Sequence, residues 1–501
     1  TGPQSTNPET GEPYGITFPI ITIGDMVRCQ RELVRHLGIA RLLCVAGGSM
    51  GGMQALDWAV RFPEDVRSVM VIASTHLSGA QQIAFDAVGR NAIMADPAFN
   101  GGQYYDSEAP SEGLAVARML AHITYLSDKM MNQKFGRQLR KQAQLSYGFE
   151  SEFSVETYLD HQGEQFVNRF DANSYLYVTK AMDYFDISAP HGSLDTAMAQ
   201  VQCKVLVLAF TSDWLYPPYQ SEQIVYALAR QQKDVTYCNI QSDHGHDSFL
   251  LDLPPMKKMV RGFLHHVADP EAVRAAGGGA DSETEVGPPA ISQESIYEGH
   301  RVDYDLIVER VRPGSRVLDV GCGDGELLSR LIAQKNVQAT GLELAQGNVV
   351  TCTRRGLSVI QADIDQGLSA FPDQSFDYVI LSMTLQVIKQ PLLALQEMVR
   401  VGRQCVVSFP NFGYWKVRGM AFFGGRAPIT RNLPYSWYQS PNRHVLSIRD
   451  FREFCKEHGL HIEEEVPLSG AGVTRVWPNL LAEEALYVIA APGTGGGGAG
   501  G

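Results

Sequence analysis

A serine among glycines, an aspartate and a histidine occur in that order along the chain, and three such groups can run acyl transfer through a covalent intermediate. The serine is Ser49, in Gly47-Gly48-Ser49-Met50-Gly51-Gly52 directly after a strand-like run. G-x-S-x-G at a strand-to-helix junction is the pattern of a nucleophile elbow, in which a tight turn pushes the hydroxyl out of the backbone. Gly47, Gly51 and Gly52 are expected to give that turn its room. A serine hydroxyl is a weak nucleophile near neutral pH, so it needs a base, and the base needs a group that fixes its tautomer. His246, in Asp243-His244-Gly245-His246-Asp247, and Asp213, in Thr211-Ser212-Asp213-Trp214, can fill those roles. His244 is the rival base. The backbone N–H of Met50, next after the nucleophile, is the expected oxyanion donor.

A second constellation is Asp319-Val320-Gly321-Cys322-Gly323-Asp324-Gly325, between a strand from Arg316 and a helix Glu326 to Ala333. Its glycines let a ligand approach the backbone closely. The spacing D-x-G-x-G-x-G differs from the G-x-G-x-x-G of a dinucleotide loop.

Both constellations require strand ends to carry them. Short β-branched runs alternate with amphipathic helical patterns throughout, the pattern of an α/β fold with a mostly parallel sheet. In the first block Asp25 is expected to cap a helix whose Met26, Cys29, Leu33 and Leu37 share a face and which ends at Gly38. Strands are expected at Leu42 to Ala46, Val69 to Ala73, Val205 to Phe210 and Val235 to Ile240. Asp213 and His246 then follow strand C-termini, where open α/β sheets place their sites. Residues 76–193 read as a mostly helical lid. Asp269 to Ala290 (DPEAVRAAGGGADSETEVGPPA) loses all apolar periodicity and reads as a flexible linker, and Gly493 to Gly501 as a disordered tail. The expected blocks are therefore 1–268 and 291–492.

Composition limits the function classes. The 501 residues are 44% hydrophobic and 19% charged, which are globular proportions. No apolar run reaches membrane-spanning length and the start does not read as a signal peptide, so the expectation is a cytoplasmic protein without membrane association. A net charge of −13 argues against nucleic-acid binding. The eight cysteines are dispersed with no C-x-x-C pair, so reduced thiols and no metal site are expected.

The stretches GGSMGGMQALDW, SDWLYPP and GHDSFLLD resemble the homoserine O-acyltransferases of methionine biosynthesis, from Thr1 to about Val267. The resemblance implies an α/β-hydrolase fold. It also implies ping-pong transfer from an acyl-CoA to the γ-hydroxyl of L-homoserine, with Ser49 carrying the acyl group, His246 shuttling protons and Asp213 orienting His246. It marks Arg118, in GLAVARMLAHITY, and Asp247 as substrate ligands. That chemistry suits an amino acid, since a guanidinium holds a carboxylate bidentately and an aspartate pairs with an ammonium. Tyr125, seven residues beyond Arg118 on the same helix face, is a further pocket residue. Succinyl-type members carry an arginine two residues after the triad aspartate. Here that position is Leu215, which points to acetyl-CoA, with succinyl-CoA and an esterase that prefers water as alternatives.

The second glycine loop resembles motif I of class I S-adenosylmethionine methyltransferases. On that resemblance Glu343, ending the strand from Gln338, would meet the ribose hydroxyls. Asp363, in QADID after Leu357 to Gln361, would meet the adenine amino group, and Phe376 to Leu381 would be the fourth strand. Through SMTLQVI, SFPNFGYWKVR and LPYSWYQSPNRH, residues 291–468 resemble the MetW family, whose members accompany homoserine acyltransferases. Whether this block transfers methyl groups or senses S-adenosylmethionine is open, as are contact between the blocks and a homodimer. Aromatics from Phe409 to Trp437 are expected as core and pocket wall. With one helix and an irregular loop ahead of Ser49, the chain reads as an N-terminal truncation, poor or inactive as a catalyst. It would lack one oxyanion donor, at a cost on the order of 10²-fold, and leave the Leu42 to Ala46 strand with an exposed apolar edge.

Overall fold

The computed structural model describes residues 2–140, 144–269, 301–470 and 472–490. The chain divides into two compact units, Thr1–Lys257 and Lys258–Gly501. Apart from Asp269, the expected linker lies outside the described residues, as does the glycine tail.

In the first unit α1 (Ile23–His36) precedes β1 (Val45–Gly48), α2 (Met50–Arg61) and β2 (Ser68–Ile72). Five α-helices follow: α3 (Ala80–Ala95), α4 (Ser111–Tyr125), α5 (Asp128–Lys134), α6 (Ser154–Val167) and α7 (Ala172–Asp183). After α8 (Leu194–Ala199) come β3 (Lys204–Phe210), α9 (Pro218–Arg230), β4 (Val235–Ile240) and α10 (Pro254–Ala268), within which the unit boundary falls. The strands pair in parallel in the order β1-β2-β3-β4. Val205 to Phe210 are all at most 1% exposed, because helices cover both faces of a parallel sheet and an uninterrupted apolar run is what such a strand needs. The stretch expected to be a mostly helical lid holds the helices α3 to α7.

Two local expectations are corrected. The first helix is capped by Thr22, in a reciprocal box with Asp25 at its third position, and not by Asp25 itself. It buries Ile23 and Val27, whereas Leu33 and Leu37 are 58% and 64% exposed. The first strand is displaced toward the elbow, to Val45–Gly48, with Leu42 making only an isolated bridge to Val66. Among the described residues β1 pairs with β2 alone, and Leu43 beside it is exposed.

In the second unit α11 (Val302–Arg310), β5 (Arg316–Val320), α12 (Glu326–Lys335), β6 (Gln338–Glu343), α13 (Gln346–Arg354), β7 (Ser358–Gln361), β8 (Phe376–Ser382), α14 (Pro391–Val401) and β9 (Gly402–Pro410) alternate. Then come α15 (Trp415–Gly424), α16 (Ile448–Glu457), β10 (His461–Ser469), β11 (Gly472–Val473), α17 (Pro478–Leu481) and β12 (Glu484–Ala490). The sheet order is β7-β6-β5-β8-β9-β12-β10-β11, parallel through β9 and antiparallel beyond. Strand order reverses between β5 and β8, so the loop after β5 opens at a topological switch point, the crevice that such sheets offer to ligands. Ile307, Val311, Leu327 and Leu331 pack against Tyr378, Ile380, Val406 and Leu486 to form the core. The expectation for the aromatics is corrected in part. Phe409 and Tyr414 are buried, but Trp415, Phe422, Phe423 and Trp437 are 50%, 83%, 88% and 79% exposed. They follow β9 in a segment that extends beyond the sheet's core.

Candidate active site

Ser49 sits between β1 and α2 with φ 57° and ψ −123°, a conformation that residues bearing a Cβ rarely adopt and that costs about 1–3 kcal/mol. The surroundings hold it there. Its N–H donates to Ile72 O at 2.9 Å, and its carbonyl accepts from Gly52 N and from Ser74 Oγ at 2.9 and 2.7 Å. A Cβ on Gly47 would lie 2.1 Å from Gly51 O, one on Gly48 2.4 Å from the Phe249 ring, and one on Gly52 2.5 Å from Ser74 Cβ. Gly51, by contrast, faces open space, so the close approaches that need a missing side chain are at Gly47, Gly48 and Gly52 and not at Gly51. Met50 begins α2, where the first N–H groups have no intrahelical acceptor. It is thus free to receive developing negative charge.

Asp213 lies beyond β3 and His246 beyond β4, on a short turn Gly245–Leu250. They are 3% and 2% exposed, and His246 Nδ1 is 2.8 Å from Asp213 Oδ2. The other carboxylate oxygen, Oδ1, accepts from Leu215 N at 3.0 Å and Tyr216 N at 2.9 Å, which fixes the orientation of the group. His244 has no such partner among the described residues, so of the two histidines it is His246 that is paired with a carboxylate. Phe249 packs edge-on against the His246 ring at 5.2 Å and also fills the space over Gly48. Tyr216 lies 5.2 Å from the same ring, with Ser49 beside its hydroxyl. These two aromatics bring the elbow and the histidine together, and residue type and spacing alone single out neither, although Tyr216 lies in SDWLYPP and Phe249 in GHDSFLLD.

The segment after α4 is anchored to the loops that carry Asp213 and His246. Trp214 Nε1 donates to Leu126 O at 3.0 Å, and a Cβ on Gly245 (φ 72°) would lie 2.5 Å from Ser127 N. The end of α4 is therefore held against the triad, with Tyr125 6.1 Å from His246. The Arg118 guanidinium stacks over the Tyr125 ring at 5.6 Å and over Phe166 at 4.7 Å. Its Nε is buried without a partner, an unspent donor next to the triad. Burial raises the Asp247 carboxyl, while the charges of His246 and Arg118 pull it down. The fold thus gathers Arg118, Tyr125, Asp247 and His246 around one place, from α4 and from the loop after β4. Leu215 is half-buried, and its carbonyl accepts from Gln82 Nε2 of α3 at 2.5 Å.

In the second unit Gly321, Gly323 and Gly325 have φ of 72°, 55° and 82°. A Cβ on Gly321 would lie 2.8 Å from Thr384, and one on Gly325 2.3 Å from Leu357, whereas Gly323 faces open space where a ligand can meet the backbone. Glu343 Oε2 accepts from Gly323 N and Oε1 from Ala345 N, each at 2.8 Å, so this acid also braces the loop. Asp319 is 2% exposed, and burial pushes its carboxyl up to about 7. Asp363 caps the turn after β7, accepting from Asp365 N at 3.0 Å. A glycine cradle with buried acids at a switch point fits a nucleoside ligand carrying positive charge.

Comparisons with known proteins agree with both halves. Residues 3–253 match the alpha/beta hydrolase fold and residues 301–489 match "Methionine biosynthesis protein MetW". The "Bifunctional methionine biosynthesis protein MetXA/MetW" of Rhodopirellula baltica is 40% identical over 480 residues, covering 93% of this chain and 74% of that protein. A "Homoserine O-acetyltransferase" of Methanosphaerula palustris is 54% identical over 266 residues, or 53% of this chain; the chain spans 54% of that relative's length. Among solved structures, homoserine O-acetyltransferase from Bacillus anthracis superposes with a TM-score of 0.50 at 30% identity, covering 53% of this chain and 70% of that one. Esterase E22 does so with a TM-score of 0.50 at 31% identity, covering 53% and 72%. The fold therefore does not separate transfer to an amino acid from transfer to water, and the residues around the triad must. On its two matched halves and its likeness along most of its length, the chain belongs to the bifunctional MetXA/MetW family of methionine-biosynthesis proteins, an α/β-hydrolase unit joined to a methyltransferase-like MetW unit.

Proposed function

We propose that the first unit is a homoserine O-acetyltransferase acting by a ping-pong mechanism. The observation that carries this reading is the Ser49, His246 and Asp213 assembly with a buried, unspent Arg118 donor and the Asp247 carboxylate beside it. His246 takes the Ser49 proton as Oγ attacks the thioester carbon of acetyl-CoA, and the Met50 N–H receives the oxyanion. Collapse expels the CoA thiolate, which takes the proton from His246 and leaves acetyl-Ser49. Arg118 holds the carboxylate of L-homoserine and Asp247 its ammonium, so that its γ-hydroxyl faces the acyl carbon. His246 removes the hydroxyl proton during attack and returns it to Ser49. An esterase has no use for a zwitterion clamp, and this favours homoserine over water as acceptor. Acetyl-CoA consumption measured with and without homoserine tests it: consumption independent of homoserine, with free acetate as product, refutes the transferase.

Donor choice follows from Leu215, a neutral side chain where a succinyl carboxylate would need a cation. Leu215→Arg is expected to shift the kcat/KM ratio toward succinyl-CoA by about tenfold or more. An unchanged ratio removes Leu215 as the determinant.

The second unit is proposed to bind S-adenosylmethionine in the Gly321 to Gly325 cradle, with Asp319, Glu343 and Asp363 around it. When bound, that ligand supplies an activated methyl group. The chain's own residues provide a backbone surface without side chains and an excess of buried carboxyls for a sulfonium. Gly321→Val puts a branched side chain at φ 72° against Thr384 and is expected to weaken binding at least about tenfold in equilibrium dialysis. Wild-type affinity in that variant refutes the assignment.

A further inference from the structure

One buried group in the lid is left unused by the mechanism above. His122, on α4 one helical turn beyond Arg118, is 8% exposed, and its Nε2 has no hydrogen-bond partner. Its other nitrogen is committed: Nδ1 lies 3.0 Å from the Tyr158 hydroxyl of α6. A phenol is a far better donor than acceptor, and burial raises the Tyr158 phenol further, so its proton stays on oxygen and is given to Nδ1. The hydrogen of the imidazole then resides on Nε2, as a buried donor with nothing to donate to. Leaving such a donor unsatisfied is costly, and a buried orphan of this kind calls for a role.

Its surroundings say which role. The His122 ring packs edge-on to Tyr125 at 5.7 Å, and Tyr125 in turn lies 6.1 Å from His246. Arg118 stacks on the same Tyr125 ring, and its Nε is likewise buried without a partner. Two unspent donors thus stand one turn apart on one helix, flanking the tyrosine that borders the triad. Burial, with Arg118, Lys134 and Arg169 nearby, lowers His122 to about 4, so it is uncharged at neutral pH and donates a hydrogen bond without adding a cation.

We propose that His122 is a second carboxylate-binding residue of the acceptor site, its Nε2–H joining the Arg118 guanidinium on the α-carboxylate of homoserine, with Tyr158 holding the tautomer that makes this donation. This rests on the acetyltransferase reading and adds a residue to it. Pairing an uncharged donor with the guanidinium fixes the direction of the carboxylate, and so of the γ-hydroxyl, where a lone guanidinium would let it rotate.

The test uses the full chain and two acceptors, L-homoserine and 3-aminopropan-1-ol, which lacks the carboxylate. His122→Phe is expected to raise the homoserine KM about 10- to 100-fold, the range of one hydrogen bond to a charged group. The KM for acetyl-CoA should not move. His122→Gln, whose amide nitrogen reaches the place of Nε2, should recover most of the loss, and Tyr158→Phe, which frees the tautomer, should cost about threefold. Discrimination between the two acceptors should fall in His122→Phe and stay in His122→Gln. A homoserine KM within about twofold of wild type overturns the proposal, and so does an equal loss on both acceptors, which marks a packing role. Should His122→Phe fail to fold by thermal unfolding, Tyr158→Phe and His122→Gln decide: unchanged discrimination in the first, or no discrimination in the second, overturns it. Wild-type protein that consumes acetyl-CoA, releases acetate and acylates no homoserine refutes the acetyltransferase reading instead, before His122 is at issue.

Discussion

Ser49→Ala abolishes acetyl-CoA-dependent acylation of homoserine, with an expected loss of at least about 10⁴-fold in kcat, since removing the nucleophile of such a triad disables the unit as a whole. The substitution is structurally mild. Ser49 holds its turn through its own N–H and carbonyl, which donate to Ile72 and accept from Gly52 and Ser74, and alanine keeps both. The thermal midpoint should therefore stay within a few degrees of wild type while acyl-enzyme, measured by mass spectrometry after mixing with acetyl-CoA, disappears. Activity that survives in a folded Ser49→Ala protein sinks the covalent mechanism.

Asp213→Asn is the second large effect, and its size comes from orientation. The Oδ1 of Asp213 accepts from two backbone N–H groups, of Leu215 and Tyr216, so an asparagine must keep its carbonyl oxygen there. Its NH2 then faces His246 Nδ1 as a donor. The imidazole is forced to accept at Nδ1 and to carry its hydrogen on Nε2, where it can no longer take the proton of Ser49. The expected fall in kcat is about 10⁴-fold with little change in fold. A loss under about tenfold would show that Asp213 serves packing and not the tautomer of His246.

Much of this site was legible in the sequence because its parts are local. The elbow is one continuous turn, and its tightest approach lies within a few residues, where Gly47 meets Gly51; Gly48 and Gly52 are demanded instead by Phe249 and Ser74, which are distant in the chain. The C-terminal ends of β3 and β4 follow from their apolar runs, which puts Asp213 and His246 at the same end of two parallel strands. Helix α1 shows where such reading fails. Periodicity picks out a stripe but not whether anything covers it, and the face carrying Leu33 and Leu37 is exposed. The aromatics after β9 failed for the same reason, since large apolar residues are core by default, and only packing shows that Phe422 and Phe423 are not.

The linear order of the chain already carries the chemistry on offer: a serine in a glycine turn with an aspartate and a histidine after later strands, a guanidinium and a carboxylate suited to an amino acid, and a glycine loop with acids after successive strands. These are properties of residue type and near-neighbour spacing, which survive in one dimension. The packing of distant segments adds that His246, and not His244, is paired with a carboxylate, that Phe249 and Tyr216 pack on its ring beside the elbow, and that the β5 loop opens where the strand order reverses. It alone shows that Arg118 and His122 keep buried donors free beside Tyr125. Those are relations between segments distant in the chain, set by strand order and by which polar atoms find partners, and no local pattern encodes them.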